Sequence, residues 1–352
     1  MNDQSAASAR RGSDYAELSR LVRAAGLLDR RPVYYGVRIA VNLALLVAGW
    51  TVFAVLGPSW WQLVVAAFLA VMFAQFGFLG HDAGHRQVFR SGRRNDLLGL
   101  VCANLLIGLS YGWWIDKHNR HHANPNQVDR DPDISAGGVV FTEEQARDRS
   151  NWLGRWVARH QAALFFPMLL LEGAALHVAS IKALFARPVD RALGVEAALF
   201  GAHVVGYLAA VFLVLPLGQA VAFIAVQQGL FGVYLGCSFA PAHKGMLLLE
   251  PGEKLDFLRR QVLTSRNIRG GRWIDVAMGG LNYQIEHHLF PSMPSAMLGR
   301  AQPLIRDFCL RHDLPYEETS LVRSFVLVLS YLHDVGTSAD SVRPGEPAGT
   351  HP

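Results

Sequence analysis

The chain has 352 residues, of which 51% are hydrophobic and 17% charged, and its mean hydropathy is positive. Since about a quarter of the residues of an average soluble protein are charged, this composition favours a membrane protein and excludes low-complexity disorder and collagen-like repeats. Three widely spaced cysteines, Cys102, Cys237 and Cys309, exclude a disulfide scaffold and cannot supply the four thiolates of an ordinary iron–sulfur cluster. The net charge of +5, with 29 arginines against four lysines, is typical of a cytoplasmic membrane face rather than of a nucleic-acid partner.

The first 38 residues are predicted to be a cytoplasmic amphipathic arm. Tyr15, Leu18 and Val22 recur at helical spacing, and Gly26 is a natural helix stop. Residues 1–38 are too polar for a signal peptide and lack a small-residue cleavage site.

Transmembrane helices are predicted where runs without Asp, Glu, Lys or Arg approach the roughly 20 residues that cross a bilayer. The runs are 39–56, 60–80, 97–115, 197–215 and 217–242. The first two and the last two runs are each joined by a short link with Pro and Gly, so each pair is predicted to be a helical hairpin. Neither tip is charged, whereas arginines lie before, between and after the hairpins, so the positive-inside rule places the tips outside and the charged segments in the cytoplasm.

The remaining stretches are less apolar. Residues 162–181 are interrupted by Glu172 and are predicted to form an interfacial or buried helix. Residues 336–352 are rich in Gly, Pro, Ser and Asp and are predicted to be a disordered tail. Residues 39–335 are thus predicted to be a single membrane domain.

Seven of the 14 histidines fall in three short groups, two of which share the same offsets. The groups are HDAGH with His81 and His85, HNRHH with His118, His121 and His122, and QIEHH with Gln284, His287 and His288. Side chains three and four apart share one helix face, so each group can direct its side chains to one point, as metal ligands do. One HxxxH pair arises by chance, but three groups beyond the ends of apolar runs indicate a metal site. HDAGH lacks the glutamate of the HExxH zinc proteases.

Eight or so donors exceed the three or four that one zinc ion takes, so two metal ions fit better. Imidazole suits zinc, copper, iron and nickel alike, which leaves the metal open. Because the first two groups must reach the same metals from one side of the membrane, the run 97–115 cannot be a simple crossing. The predicted fold is all-α and integral to the membrane, with four transmembrane helices in two hairpins, interfacial helices, and a cytoplasmic helical cap that carries the metal site. Both termini are predicted to be cytoplasmic.

HDAGH, HNRHH followed by DRDPDI, and NYQIEHHLFP resemble the three histidine boxes of the membrane fatty acid desaturases over roughly residues 35–315. The resemblance implies two ferrous ions, dioxygen as co-substrate, and a fatty acyl-CoA or acyl lipid substrate in a membrane. It also implies a ligand after the fourth crossing, and His243 is the matching position, although a lone histidine is usually structural. Gln284 stands where many relatives have histidine, as in front-end and related desaturases. The resemblance leaves open whether Gln284 binds iron directly or through a water molecule.

The predicted reaction is the O2-dependent formation of a cis double bond in an acyl chain, which requires two external electrons. An unactivated methylene has neither an acidic proton nor an electrophilic carbon, so acid–base side chains cannot oxidise it. The sequence has no GxGxxG nucleotide motif and no HPGG haem motif. We therefore expect a separate redox partner, either a ferredoxin- or flavodoxin-type reductase or a cytochrome b5-like donor.

Three acidic residues near the boxes are candidates for supporting roles. Asp82 and Glu286 lie inside the boxes and either orient imidazoles or are solvated charges. Asp131 follows the second box and either ties it to nearby arginines or balances charge.

A basic stretch and several tryptophans are candidates for contact with the substrate or the electron donor. The stretch that begins with Arg259 and Arg260 either binds a phosphate headgroup, CoA or an acidic redox protein, or reflects the positive-inside bias. Trp113, Trp114 and Trp273 either line an acyl tunnel or belong to the interfacial aromatic belt.

Two alternative functions fit the same residues. A hydroxylase or ketolase acting on a lipid or carotenoid would use the same two-iron site. A metal transporter fits less well, because transport sites normally lie near the bilayer midplane, whereas these ligands follow the crossings. The excess of arginine over lysine indicates a GC-rich bacterial genome and hence a bacterial plasma membrane.

Overall fold

The structure is a computed structural model that describes residues 3–188 and 190–338, with side chains described from Asp14 onward except at residue 189. It is mostly helical. The α-helices are α1 Asp3–Ala24, α2 Pro32–Leu56, α3 Gln62–Gly84, α4 Gly92–Leu100, α5 Tyr111–Ala123, α6 Glu143–Arg147, α7 Trp152–Arg159, α8 Gln161–Ala186, α9 Arg191–Val214, α10 Leu217–His243, α11 Phe257–Leu263, α12 Arg272–Ala277, α13 Gln284–Leu289, α14 Ser295–Arg311 and α15 Leu321–Ser338. A π-helix, Val101–Ile107, continues α4, and a 3₁₀ turn covers Pro132–Ile134. Strands β1 (Asn267–Arg269) and β2 (Glu318–Ser320) pair in parallel.

Within the described ranges, five helices are long and apolar enough to cross a membrane, namely α2, α3, α8, α9 and α10. Helix α3 is the most buried of them and packs against α10, where Phe73 and Phe231 meet edge to face with their ring centroids 5.9 Å apart. The remaining apolar helices surround this pair and keep more of their surface exposed. The histidines at the ends of α3 and α10 are thereby brought to the same end of the helix bundle.

Helix α2 begins at Pro32, seven residues before the predicted crossing, so the predicted arm 1–38 is two elements rather than one. Proline fits the first turn of a helix, where its missing N–H is not needed. The polar side chains of this added stretch, Tyr35 and Arg38, form hydrogen bonds with the buried carboxylate of Asp82. Because these polar groups have a partner, the helix can begin here and continue into the apolar run.

Helix α15 differs from its prediction at the other end of the chain. It continues to Ser338, so the first three residues of the predicted disordered tail are helical. Buried Leu332 and Val335 hold this last part of α15 against the rest of the fold. Residues 339–352 lie outside the described residues.

The run 97–115 is not one straight helix, in agreement with the prediction that it is not a simple crossing. The π-helix ends at Gly108, whose φ of 70° suits glycine, and the chain bends by 115° before α5 begins. Ser110 caps α5 by accepting a hydrogen bond from the N–H of Trp113 at 3.2 Å. Nδ1 of His203 on α9 lies 2.9 Å from the carbonyl oxygen of Leu105, so it can donate to a carbonyl beside the break.

The cap beside the bundle has its own apolar core, formed by α1, α11, α13 and α14. Leu18 and Val22 of α1 are buried in it together with Ile285 of α13 and Phe308 of α14. The hydroxyl of Tyr15 also donates to the carbonyl of Leu289 at 3.1 Å. This packing holds α13, which carries the third histidine box, over the ends of α3 and α10.

Candidate metal centre

Five histidines from the three boxes form one largely buried cluster whose donor atoms all lie within 4.8 Å of one another. Its members are His81, His85, His118, His122 and His287. Nε2 of His118 lies 3.1 Å from that of His81 and 2.9 Å from that of His85. Nε2 of His122 is likewise 3.1 Å from that of His287. Ring nitrogens from α3, α5 and α13 thus converge on one point.

A second cluster contains His121, His243 and His288, with donor atoms again within 4.8 Å of one another. Nε2 of Gln284 lies 2.9 Å from Nε2 of His243. The two clusters adjoin, because the rings of His122 and His288 stack with their centroids 4.2 Å apart. The structure therefore brings together all nine predicted ligands, including the lone His243 at the end of α10.

The chemistry of these donors fits two metal ions. Burial and then the neighbouring His81 hold the pKa of His287 well below its ordinary value, and burial with His243 does the same for His288, so both rings are neutral. A neutral imidazole has one N–H and one lone pair, which is the form that binds metals. Among the described residues, the buried atoms Nε2 of His288 and Oε1 of Gln284 have no hydrogen-bond partner. A metal ion would satisfy such atoms.

Asp131 supports the second box directly. Its carboxylate lies 3.0 Å from Nδ1 of His121, and it also accepts from the N–H of Asn126 at 2.7 Å. Burial opposes ionisation of Asp131, but the facing His121 lowers its pKa overall. A carboxylate on Nδ1 fixes the ring so that Nε2 faces the cluster. Nearby, Asp133 pairs with Lys117, and its Oδ2 lies 3.5 Å from Nδ1 of His121, so the partners it meets are a lysine and a histidine rather than an arginine.

Asp82 is not a solvated charge, because only 2% of its side chain is exposed. Its Oδ2 accepts from Arg38 at 2.7 Å, from Ser295 at 2.8 Å and from Tyr35 at 3.2 Å. Its other oxygen lies 3.5 Å from Nδ1 of His81. Asp82 therefore joins the first box to α2 and α14.

Glu286 is also buried, but within the described part of the chain its carboxylate forms no hydrogen bond with a histidine ring. Tyr316 donates to it at 2.6 Å and Asn267 at 2.7 Å. Burial raises its pKa to about 7, although both hydrogen bonds oppose that shift. Glu286 thus ties the third box to β1 and to the segment that precedes β2.

Two orienting contacts escaped the sequence analysis. Oε1 of Gln261 on α11 lies 2.9 Å from Nδ1 of His288, and the same amide donates to the carbonyl of His122 at 3.1 Å. The carbonyl of Thr264 lies 3.0 Å from Nδ1 of His243. The only local signal was a glutamine among the apolar positions of α11, and nothing in the sequence pointed to Thr264.

The basic residues predicted to face the substrate or donor are engaged within the cap. Arg259 pairs with Asp14 at 3.3 Å and with Asp256 at 3.1 Å. Arg260 donates to the carbonyl of Ala123 at 2.9 Å. These contacts hold α11 beside α1 and the end of α5.

The three predicted tryptophans lie in different surroundings. The ring of Trp114 stacks on His118 with centroids 4.6 Å apart and lies 5.6 Å from the ring of His81, so it covers the five-histidine cluster. Trp113 is half-buried beside it in α5. Trp273 is 88% exposed and lies on α12.

A mostly helical chain with several apolar helices and a buried, histidine-rich pair of clusters at their ends defines a membrane protein with a candidate metal centre. A sequence profile of the family described as "Fatty acid desaturase" matches residues 58–320. This chain therefore belongs to the fatty acid desaturase family, which confirms the predicted family and the predicted class of oxidoreductase.

Three relatives illustrate the match. The chain is 30% identical to the "Acyl-lipid (9-3)-desaturase" of Physcomitrium patens, over 93% of this chain and 63% of that protein. It is 28% identical to the "Delta(5) fatty acid desaturase fat-4" of Caenorhabditis elegans, over 94% of this chain and 76% of the relative. It is 27% identical to the "Delta(8)-fatty-acid desaturase" of Helianthus annuus, over 93% of this chain and 74% of that protein. The chain thus spans less than two thirds of the Physcomitrium protein and about three quarters of the other two.

Proposed function

We propose that this chain is a membrane fatty acyl desaturase that uses dioxygen and two external electrons to form a cis double bond at a two-iron centre. The observation that carries the proposal is the convergence of all three histidine boxes, with His243 and Gln284, into two adjoining clusters of potential metal ligands. The names of the three relatives, each a desaturase, support the acyl substrate.

In this proposal the nine side chains hold two iron ions, His81, His85, His118, His122 and His287 on one side and His121, His243, His288 and Gln284 on the other. Bound iron would supply the dioxygen activation that oxidation of an unactivated methylene requires. The chain's own residues supply the rest. Asp131 and Gln261 keep the proton of His121 and His288 on Nδ1, and the stacked Trp114 excludes water from the five-histidine cluster.

Four crossings are supported by the positions of the clusters. Nε2 of His85 and Nε2 of His118 lie 2.9 Å apart, so in this proposal the chain between them returns to the side of the membrane from which it left. The bend of 115° before α5 allows this return. Three long apolar helices, α8, α9 and α10, separate His121 from His243, whose ring centroids are 4.7 Å apart. An odd number of crossings would separate these two rings, so we propose that two of the three helices cross.

Contacts at both ends of α8 support α8 as the helix that stays on one side. At its start, Gln161 donates to the carbonyl of Leu332 in α15 at 2.8 Å. Near its end, Ser180 accepts from the N–H of Ser110 at 3.0 Å, at the start of α5. We therefore propose crossings by α2, α3, α9 and α10, with α8 interfacial.

We further propose that the metal centre and both termini face the cytoplasm. The positive-inside rule supports this, since the arginines cluster on the side of the histidines. A bacterial plasma membrane is a prediction from the excess of arginine alone, and the three named relatives are eukaryotic.

The electron donor and the carrier of the acyl chain belong to the same proposal. The reaction consumes two electrons, and we propose a separate ferredoxin- or flavodoxin-type reductase or a cytochrome b5-like protein as their source. Either an acyl-CoA or an acyl lipid would serve as the substrate. Reconstitution with each donor and each acyl carrier in turn would identify the pair that supports turnover.

Lipid profiling of a host that expresses the chain tests the function. We expect an acyl chain that has lost two hydrogens, and no such product from the His121→Ala variant, whose purified form should also contain less iron. His160→Ala is the matched control, because His160 lies outside both clusters and contacts Trp156. Gain of one oxygen instead would show a hydroxylase or ketolase. Metal uptake that depends on His121 without any lipid change would show a transporter.

A further inference from the structure

The segment 269–277, termed here the α12 wedge, is attached to α3 and α10 on the membrane side of the histidine clusters. Nε2 of Gln75 on α3 donates to the carbonyl of Val276 at 3.0 Å, and the hydroxyl of Tyr234 on α10 donates to the carbonyl of Ala277 at 2.7 Å. Gln75 precedes His81 by six residues, and Tyr234 precedes His243 by nine. At 1.5 Å per helical residue, the attachment lies about 9 to 14 Å from the ligands, toward the membrane interior.

The α12 wedge exposes apolar side chains at this depth. Trp273 is 88% exposed and Val276 61% exposed. The residues that follow are buried against the bundle, where Gly279, with φ of 61°, lies directly against the ring of Phe78. Surface of this kind is unfavourable in water, whereas tryptophan is enriched where the bilayer meets water.

Two arginines accompany the exposed apolar side chains. Arg269 and Arg272 are exposed, and neither forms an ion pair within the described part of the chain, in contrast to Arg259 with its two aspartates. The one acidic group of the wedge, Asp275, accepts a hydrogen bond from Asn282 at 2.9 Å. Guanidinium groups bind phosphate oxygens in a two-pronged geometry, so this pair matches phospholipid headgroups.

We propose that the α12 wedge binds the leaflet beside the metal centre, with Trp273 and Val276 among the acyl chains and Arg269 and Arg272 on the phosphates of anionic phospholipid. Through Gly279 and Gly280 the wedge leads to Gln284, so lipid bound here holds the start of the third histidine box against α3 and α10. The inference rests on the proposed crossings of α3 and α10, and it places a lipid-binding site on the α12 wedge beside these two helices.

Spin labelling in lipid nanodiscs tests the depth of the wedge without any measurement of activity. A nitroxide on Val276→Cys, in a chain that also carries Cys237→Ser, should collide more with oxygen than with a water-soluble nickel chelate. Val47→Cys on α2, where Val47 is 57% exposed, is the lipid-facing control, and Leu310→Cys on the cap, where Leu310 is 61% exposed, is the aqueous control.

The expected result is a label at position 276 that behaves like the label at position 47. A label at 276 that behaves like the label at 310, while that at 47 is lipid-exposed, overturns the wedge alone. If the labels at 47 and 310 are equally aqueous, the proposed crossings fail and the wedge fails with them.

The arginine contacts are tested by binding of phosphatidylglycerol to the full chain in phosphatidylcholine nanodiscs. Arg269→Gln/Arg272→Gln should bind roughly tenfold more weakly than the parent chain. The control is Arg300→Gln/Arg311→Gln, which removes two exposed cap arginines and should bind normally. Arg269→Lys/Arg272→Lys keeps both charges and should recover part of the binding. Equal losses in the two glutamine variants, or no loss in either, would overturn the headgroup site.

Discussion

Nε2 of Gln284 lies 2.9 Å from Nε2 of His243, although 41 residues separate them in the chain. Nδ1 of His243 faces the carbonyl of Thr264 at 3.0 Å, so the ring proton lies on Nδ1 and the lone pair on Nε2. His243, which is the last residue of α10 and has no histidine at ligand spacing, thus presents its lone pair to the second cluster. The side-chain amide of Gln284 lies within hydrogen-bond distance of this lone pair.

Removal of His243 should empty one of the two metal positions and leave the other filled. The second cluster has only three histidines, so His243→Ala is expected to lower the iron content from about two ions per chain to about one. Elemental analysis of purified protein measures this directly, with His160→Ala as the control. An iron content equal to that of the parent chain would exclude His243 as a ligand.

Gln261→Leu should weaken the metal centre although Gln261 is not a ligand. The substitution removes the acceptor for Nδ1 of His288 and the donor to the carbonyl of His122. Loss of such an orienting partner typically lowers metal affinity or activity by about 10- to 100-fold. Iron retained during titration with a chelator is the measurement. Gln261→Glu can still accept from His288 and should restore part of the affinity, whereas equal loss in both variants would show that the contact is merely structural.

Arg38→Met should destabilise the fold because it leaves the carboxylate of Asp82 buried without its cation. Breaking a buried ion pair from one side costs about 3 kcal/mol or more in the free energy of unfolding. Chemical denaturation in mixed micelles would measure the loss. Arg38→Met/Asp82→Asn should lose less than the single variant. The control is Arg86→Met, since Arg86 and Asp96 are 46% and 45% exposed and such a pair contributes about 1 kcal/mol at most.

Gly108→Ala should disrupt the turn between the π-helix and α5. Position 108 has φ of 70°, and a Cβ there would overlap the ring of His203, so the substitution combines backbone strain with a clash. We expect a loss of about 2 kcal/mol or more in the free energy of unfolding. The control is Gly194→Ala inside α9, where a Cβ meets open space, so this substitution should not destabilise the fold. A normal thermal midpoint for Gly108→Ala would contradict the described turn.

The Cys309 thiol should be unreactive at neutral and mildly alkaline pH. Burial first, and the nearby Glu286 second, raise its pKa to about 12, so at pH 8 roughly one thiol in ten thousand is the reactive thiolate. Alkylation should therefore accelerate only when the pH approaches 12 or when the protein unfolds. Leu310→Cys provides an exposed neighbour with an ordinary pKa and should react at least about a hundred times faster at pH 8. Mass spectrometry of the labelled peptide separates the two sites.

Local patterns were enough to predict four of the five long apolar helices and the three histidine boxes, whereas α8, which Glu172 interrupts, was predicted to be interfacial or buried and is also long and apolar enough to cross. Uncharged runs of sufficient length determine where a helix can cross a bilayer, and offsets of three and four place His118, His121 and His122 on one helix face whatever surrounds them. The same reasoning predicted that the run 97–115 is not a simple crossing, whereas the bend itself is seen only in the structure. These features depend on residues close together in the chain.

Only the tertiary structure decided how the eight histidines divide into clusters of five and three, with Gln284 beside the second, and which residues hold their rings. Gln261 meets His288 across 27 residues and Arg38 meets Asp82 across 44, so no local spacing relates them. The start of α2 at Pro32 has the same cause, because Tyr35 is buried by partners on α3 and α14. A buried polar group needs a partner wherever the chain supplies one, and helix packing, rather than sequence order, determines which residue that is.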